Sequence, residues 1–140
     1  VPHPGHEHFV PDLVTKMNKN DLKSLAFSMS TYQQFNDDAA TAVLMYAEDH
    51  LGLIMWNLGP GQQNYYHLHP TTEHLHVVVE GEVEYTLDGE APFILKVGEA
   101  VNVPAGVAHG IRNLTDQPAS YIAIASIKSG PYEKVLVERP

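Results

Sequence analysis

The chain has 140 residues, 44% of them hydrophobic, and carries a formal charge of −9 with only 8 Lys+Arg, which do not cluster. This length accommodates one domain with one core, and the acidic balance argues against binding to nucleic acid or to a membrane surface. The longest apolar run, around Val77–Val79, is too short to cross a bilayer, and the lack of cysteine excludes thiolate ligands and disulfides.

The first 40 residues are predicted to form an arm and one short helix. The opening stretch contains His3, His6 and His8 and is expected to lie irregularly on the surface. A helix is predicted over Asp21–Met29, because an aspartate begins the segment and apolar residues follow at helical spacing. No signal-like segment follows Val1, so a cytoplasmic location is expected, although removal of a leader would leave the same sequence.

Residues 41–140 are predicted to form strands. Short segments rich in Val, Ile and Tyr alternate there with Gly, Pro, Asn and Asp. The predicted strands are Thr41–Tyr46, Leu51–Leu58, Leu75–Val79, Val83–Leu87, Phe93–Val97, Val107–Ile111, Ser120–Ile127 and Glu133–Val137. Asp88-Gly89 is typical of a hairpin turn. The pattern predicts an all-β sandwich or barrel in one domain.

Five of the nine histidines fall in two short stretches whose spacing suits one metal ion. Side chains alternate along a strand, so His67 and His69 point the same way. A Pro-Thr-Thr turn then leads to a second strand, where His74 and His76 share a face, and His109 belongs to the later stretch. Neutral imidazole is a favoured ligand of zinc, copper, nickel and iron.

The two stretches resemble the two motifs of the cupin superfamily, whose members are small jelly-roll barrels that usually hold a metal. The first motif is matched by Gly61, His67, His69 and Gly81. The second motif is matched at every position, by Gly98, Pro104, Gly106, His109 and Asn113. The resemblance implies a single cupin jelly-roll barrel over residues 41–140, preceded by the arm and helix of residues 1–40.

The glutamate of the first family motif has two possible counterparts in this chain. Counting back from the closing glycine selects His74, whereas counting three residues on from the histidine pair selects Glu73. Alternation favours His74, because His74 and His76 then share the inner face. The other face becomes an apolar row of Leu75, Val77 and Val79. The expected site resembles the all-histidine sites of a minority of small cupins, including a polyketide-cyclase type, with the ligands His67, His69, His74 and His109.

Three further side chains are placed near this site by their parity along the strands. His76 is the predicted catalytic residue, as a proton shuttle or an orienting group, with a lining role as the alternative. Tyr65 and Tyr85 have the parity to face the cavity, although tyrosines in strands more often pack in the core. His50 is expected at the surface, between two strands.

The predicted function is that of a metal-dependent enzyme. Four neutral ligands leave the charge of a divalent ion (Zn, or Fe, Mn, Ni or Cu) uncompensated, which favours Lewis-acid catalysis on an enolisable carbonyl compound, of cyclase, isomerase or lyase type. The alternatives are a non-haem dioxygenase and a metal-stabilised binding domain without turnover. The expected partners are a small-molecule substrate and a second copy of the chain. The apolar row of Leu75, Val77 and Val79 needs cover from the other sheet, from the N-terminal segment or from a partner, and the resemblance to small cupins, which often pair through such surfaces, favours a homodimer.

Overall fold

The fold comes from a computed structural model that describes residues 7–11, 17–48, 50–126 and 133–140. Its strands, numbered in chain order, are β1 (His8–Val10), β2 (Thr41–Glu48), β3 (Leu51–Leu58), β4 (Gln63–Leu68), β5 (His74–Glu80), β6 (Glu82–Leu87), β7 (Phe93–Lys96), β8 (Ala100–Val103), β9 (His109–Arg112), β10 (Ala119–Ala125) and β11 (Val135–Leu136). The all-β jelly-roll class predicted from the sequence is confirmed.

The strands form two sheets that pack face to face. One sheet has six strands in the order β1-β2-β3-β10-β5-β8, and the other has five in the order β11-β4-β9-β6-β7. Consecutive strands often lie in different sheets, because the chain passes from one layer to the other as it winds. Buried residues from both layers form one core between the sheets, including Trp56, Val78 and Tyr121 from the first and Tyr85 and Ile111 from the second.

The hairpin predicted at Asp88-Gly89 is confirmed. β6 pairs antiparallel with β7, with Tyr85 opposite Phe93, and Gly89 adopts a positive φ of 80° in the connecting turn. Most other predicted strands are present with their ends shifted by one or two residues. The predicted strand over Ser120–Ile127 ends at Ala125, because Ser126 is no longer part of it, and Ile127 lies outside the described residues.

The single helix predicted over Asp21–Met29 does not form. The structure has two short 3-10 helices instead, Leu22–Leu25 and Met29–Tyr32, with extended backbone at Ala26 between them. The Asp21 side chain makes no capping hydrogen bond, and the Ser24 hydroxyl donates to the backbone carbonyls of Asn18 and Asp21. Such local side-chain bonds compete with regular helix formation.

The N-terminal segment covers the outer face of the six-stranded sheet. β1 pairs in parallel with β2, and the buried Tyr32 packs in a second hydrophobic cluster with Val43, Met55 and Ile122. Val77 and Val79 pack against this cluster, so they are partly buried, whereas Leu75 remains 37% exposed. No helix in the described ranges has the length and hydrophobicity needed to cross a lipid bilayer.

Two residues of the family motifs have evident structural roles. The backbone N–H of Gly106, at φ 81°, donates to the His69 carbonyl at 2.8 Å, which ties the second motif to the first. The fully buried Asn113 donates from Nδ2 to the carbonyls of Leu58 and Gln117 at 2.8 and 2.7 Å. The Gly106 contact holds the loop at the end of the barrel that carries the histidines, and the Asn113 contacts hold the loops at the opposite end.

Candidate metal centre

The five clustered histidines come from facing sheets and meet inside the barrel. His67 lies in β4 and is paired with His109 at the start of β9, both in the five-stranded sheet, and His69 directly follows β4. His74 and His76 lie in β5 of the six-stranded sheet. All five side chains are buried, with at most 4% of their surface exposed.

Three of these imidazoles are held in one tautomer by backbone carbonyl groups. Nδ1 of His67 bonds to the Tyr65 carbonyl, Nδ1 of His69 to the Glu133 carbonyl at 2.6 Å, and Nδ1 of His109 to the Val107 carbonyl at 3.0 Å. A carbonyl oxygen only accepts, so each Nδ1 carries the proton and donates it. Each Nε2 is therefore left with a lone pair, as a metal ligand requires.

The ligand nitrogens of this triad lie close together. Ligand atoms of His67, His69 and His109 all lie within 4.8 Å of one another, and Nε2 of His67 is 3.1 Å from Nε2 of His69. Two nitrogens bound to one ion at about 2.0–2.1 Å and roughly at right angles are separated by about 3 Å. Nε2 of His109 is buried without a hydrogen-bond partner in the described part of the chain. The triad thus fits a divalent metal ion.

His74 lies beside the triad. Its side chain is 2% exposed and its ring centroid is 4.1 Å from that of His69 and 6.4 Å from that of His109, whereas Glu73 is exposed. The inward direction that alternation predicted for His74 is therefore confirmed, and so is that of His76. The role of His74 as fourth ligand stays a prediction, because the converging set consists of the other three residues.

Burial keeps the histidines neutral. It lowers the pKa of His109 to about 4 and that of His74 to about 3, where the neighbouring His69 and His109 add to the effect and the Thr72 backbone opposes it. Burial also lowers the pKa of His67 and His69, and in His67 the charge of His109 is the second cause. Neutral imidazoles at physiological pH are ready to bind metal without first losing a proton.

His76 lies one step further into the barrel than His74. Its Nδ1 is 2.7 Å from the Tyr85 hydroxyl, and its ring centroid is 5.1 Å from Tyr121 and 5.5 Å from His109. Burial lowers the pKa of His76 well below its usual value and raises that of Tyr85, so both groups are neutral. The neutral hydroxyl can donate to Nδ1, while the catalytic role of His76 stays a prediction.

A cavity of about 250 Å³ opens on the inner face of the six-stranded sheet and reaches His74. Except for this histidine its walls are apolar or small, and they include Phe9, Leu44, Ile54, Ala123 and Ala125. The alanine side chains are small and Gly52 has none, so the cavity stays open at this part of its wall. A cavity of this size and polarity is suited to a small organic molecule that contacts the centre at one end.

The structure adds a residue to the site that the sequence analysis did not identify. Lys134 Nζ donates to Asn64 Oδ1 at 2.8 Å, lies 5.0 Å from the centroid of the Trp56 ring and is 3.6 Å from a carboxylate oxygen of Glu7. Its neighbour Glu133 supplies the carbonyl that orients His69. No motif marks this segment, which reaches the site because β11 pairs with β4.

The remaining candidate residues lie away from the centre. His8 and His50 are exposed, in β1 and in a turn, and His3 and His6 lie outside the described residues. Tyr65 does not face the cavity as its parity suggested, because an irregularity in the pairing of β4 with β9 between Asn64 and His67 changes the alternation. Tyr65 is 38% exposed for this reason.

Comparison with known proteins agrees with this architecture. The model of the cupin domain family matches residues 54–125. A protein of Streptomyces cyaneus named polyketide synthase CurC is 36% identical over 63 residues, a match that covers 45% of this chain and 40% of that protein. The chain thus spans less than half the length of this curated relative.

Solved structures share the fold. An uncharacterised Klebsiella pneumoniae subsp. pneumoniae MGH 78578 protein with a double-stranded β-helix domain has a TM-score of 0.73 at 23% identity, covering 81% of this chain and 97% of that chain. A sugar phosphate isomerase of the cupin superfamily from Silicibacter pomeroyi DSS-3 has a TM-score of 0.52 at 25% identity, covering 55% of this chain and 50% of that chain. Relatives with this fold therefore include an enzyme. The sequence match over residues 54–125 and the two-sheet barrel with its inward histidines show that the chain belongs to the cupin superfamily.

Proposed function

We propose that this protein is a metal-dependent cupin enzyme that acts on a small enolisable carbonyl compound, in a cyclase, isomerase or lyase type of reaction. The proposed ligands of the metal are His67, His69, His74 and His109. The observation that carries the proposal is the triad of buried imidazoles, whose Nδ1 protons are donated to carbonyls and whose ligand nitrogens lie within 4.8 Å of one another. A divalent ion held by neutral ligands supplies Lewis acidity towards a carbonyl oxygen.

The cavity beside His74 supports a substrate that is mainly apolar. The walls formed by Leu44, Ile54 and Ala123 bind the hydrocarbon part and exclude water, which strengthens electrostatic interactions within the site. The partial match to a protein named polyketide synthase supports a substrate with ketone groups, because polyketides carry carbonyl groups along their chains.

His76 is proposed to act in catalysis as an orienting group next to the centre, one of the two catalytic roles predicted for it. Burial lowers its pKa, which makes it a weak proton acceptor at neutral pH. Its contact with the Tyr85 hydroxyl fixes the ring next to His109. Tyr85→Phe removes this contact and should lower kcat, with the metal content unchanged.

The test combines metal analysis with an assay of proton exchange, using protein purified without a histidine tag. We expect about one divalent ion per chain and metal-dependent exchange of α-protons of ketones and β-dicarbonyl compounds with deuterated water. His109→Ala should lose both, and His50→Ala, which alters an exposed histidine, should lose neither. Well under one equivalent of metal after growth with added metal contradicts the proposal. Stoichiometric oxygen consumption would indicate a dioxygenase, and ligand binding without exchange would indicate a binding domain.

A further inference from the structure

Lys134 places an ammonium group inside the end of the barrel that carries the histidines. Its side chain is only 18% exposed, and its Nζ lies between the amide of Asn64 and the face of Trp56, a residue of the inner core. Asn64 in turn donates to the Tyr121 hydroxyl at 3.0 Å. The lysine is thus held by an ordered set of contacts, which is unusual for a side chain that normally extends into solvent.

The ammonium group is close enough to affect the metal centre. The carbonyl of the preceding residue, Glu133, lies 2.6 Å from Nδ1 of His69, and Nζ contacts Asn64 in β4, the strand that carries His67. A cation at this place also repels a bound metal ion. A divalent ion, neutral imidazoles and Lys134 together make a strongly positive site, and a positive site of low polarity favours an anion.

The carboxylate of Glu7 partly balances this charge. Its distance of 3.6 Å from Nζ exceeds the 2.7–2.9 Å typical of a charge-assisted hydrogen bond, so this ion pair is a loose one. Glu7 is also two residues from Phe9, which lines the cavity, and alternation places the two side chains on one face of the extended segment. Neither Glu7 nor Lys134 is a wall residue of the cavity, but the segment that carries Glu7 joins this wall at Phe9. A ligand that extends beyond the cavity on this side would replace Glu7 at Lys134.

We propose that Lys134 is a substrate-binding residue that pairs with a carboxylate of the substrate, so that the enzyme acts on oxo acids in preference to neutral ketones. The inference rests on the proposed function, which assigns a carbonyl group to the substrate, and it adds a carboxylate to the same substrate. The metal and Lys134 then bind two different oxygens of one molecule, while the apolar wall contacts its carbon chain. Displacement of Glu7 from Lys134 accompanies binding.

Calorimetric titration of the metal-containing protein with acetoacetate and with methyl acetoacetate tests the charge preference. The two compounds share the β-dicarbonyl unit and differ in the carboxylate. We expect acetoacetate to bind about 10- to 100-fold more tightly, the range that a hydrogen bond to a charged group provides. Equal affinities, or no binding of acetoacetate at tens of millimolar, would overturn the proposal.

Variants assign the preference to the lysine. Lys134→Met should lose the preference for acetoacetate and bind the ester as before, and Lys134→Arg should retain most of it. Lys19→Met is the matched control, because Lys19 pairs with Glu48 on the surface, where its side chain is 57% exposed. Lys134→Met should also hold metal more tightly in a chelator competition without organic anion, since a nearby cation is removed.

The outcomes separate this inference from the proposed function. Loss of affinity for both compounds, or weaker metal retention in Lys134→Met, would show that the lysine only supports the structure, and would overturn the inference. A wild-type protein that prefers acetoacetate but exchanges no protons would contradict the proposed enzymatic function and leave the acid-binding site standing.

Discussion

The side chain of His74 decides whether the centre has three or four protein ligands. It is buried next to His69, while the neighbouring Glu73 is exposed. His74→Ala is expected to weaken metal retention strongly, because it removes a nitrogen ligand, and Glu73→Ala should leave retention almost unchanged. Metal content after dialysis against a competing chelator measures both. Metal lost in Glu73→Ala and kept in His74→Ala would show that the ligand assignment is wrong by one residue.

Neutral burial of histidines also predicts how stability depends on pH. The pKa values of His74 and His109 in the folded protein, about 3 and about 4, lie below the 6.5 of an unperturbed histidine. Below pH 6.5 the unfolded chain therefore binds more protons than the folded chain, so stability is complete above pH 6.5 and falls as the pH decreases towards 4. Each such histidine contributes a slope of up to about 1.4 kcal/mol per pH unit.

Urea denaturation of the metal-free protein between pH 7.5 and 4.5 measures this slope. His74→Phe and His109→Phe should each reduce it, whereas His50→Gln, at an exposed turn, should not. A stability that stays constant across this range would contradict the neutral burial of the cluster.

Among the structural elements, the turn between β5 and β6 has the strictest steric requirement. Gly81 adopts a φ of 70°, and a Cβ atom built on it would lie 2.4 Å from the Pro118 carbonyl oxygen. Gly89 in the β6–β7 turn has a φ of 80° but open space around it. Both glycines thus adopt a left-handed backbone conformation, but only Gly81 lies directly against another part of the chain.

Alanine substitutions at these glycines separate the two effects. Gly89→Ala should cost about 1–2 kcal/mol, the penalty of a left-handed conformation with a side chain. Gly81→Ala should cost about 2–5 kcal/mol in total, because the backbone of residues 118–119 must also move. Urea midpoints of the two variants compare their losses of stability. Equal losses would show that the backbone of residues 118–119 moves away from the new Cβ atom at no cost.

At the scale of the whole molecule, the predicted homodimer depends on which apolar surfaces the N-terminal segment leaves exposed. Val77 and Val79 pack against the cluster around Tyr32, while Leu75 on the same face is 37% exposed. We expect a sedimentation mass of two chains at micromolar concentration and a shift towards one chain in Leu75→Glu. Val97→Glu, at a turn where the residue is 59% exposed, is the control. A one-chain mass for the unmodified protein would reject the dimer.

The class of the fold and the direction of the key side chains follow from the amino-acid sequence alone. Alternation with a period of two is a local property of an extended backbone, so it placed His74 and His76 inside and Leu75 outside without knowledge of any partner strand. The Asp88-Gly89 turn was predicted for the same local reason. Fixed motif spacing brought His67, His69 and His109 together because it encodes the turns between their strands.

Tertiary structure alone decided what surrounds this centre. Lys134 reaches the histidines through the pairing of β11 with β4, a contact between segments more than 60 residues apart that no local pattern specifies. The segment predicted as a helix over Asp21–Met29 forms two short 3-10 helices, and its neighbour Tyr32 packs on a sheet. The irregular pairing of β4 with β9 exposes Tyr65 in the same way. Each outcome depends on contacts between distant segments, whose free energy outweighs local preference.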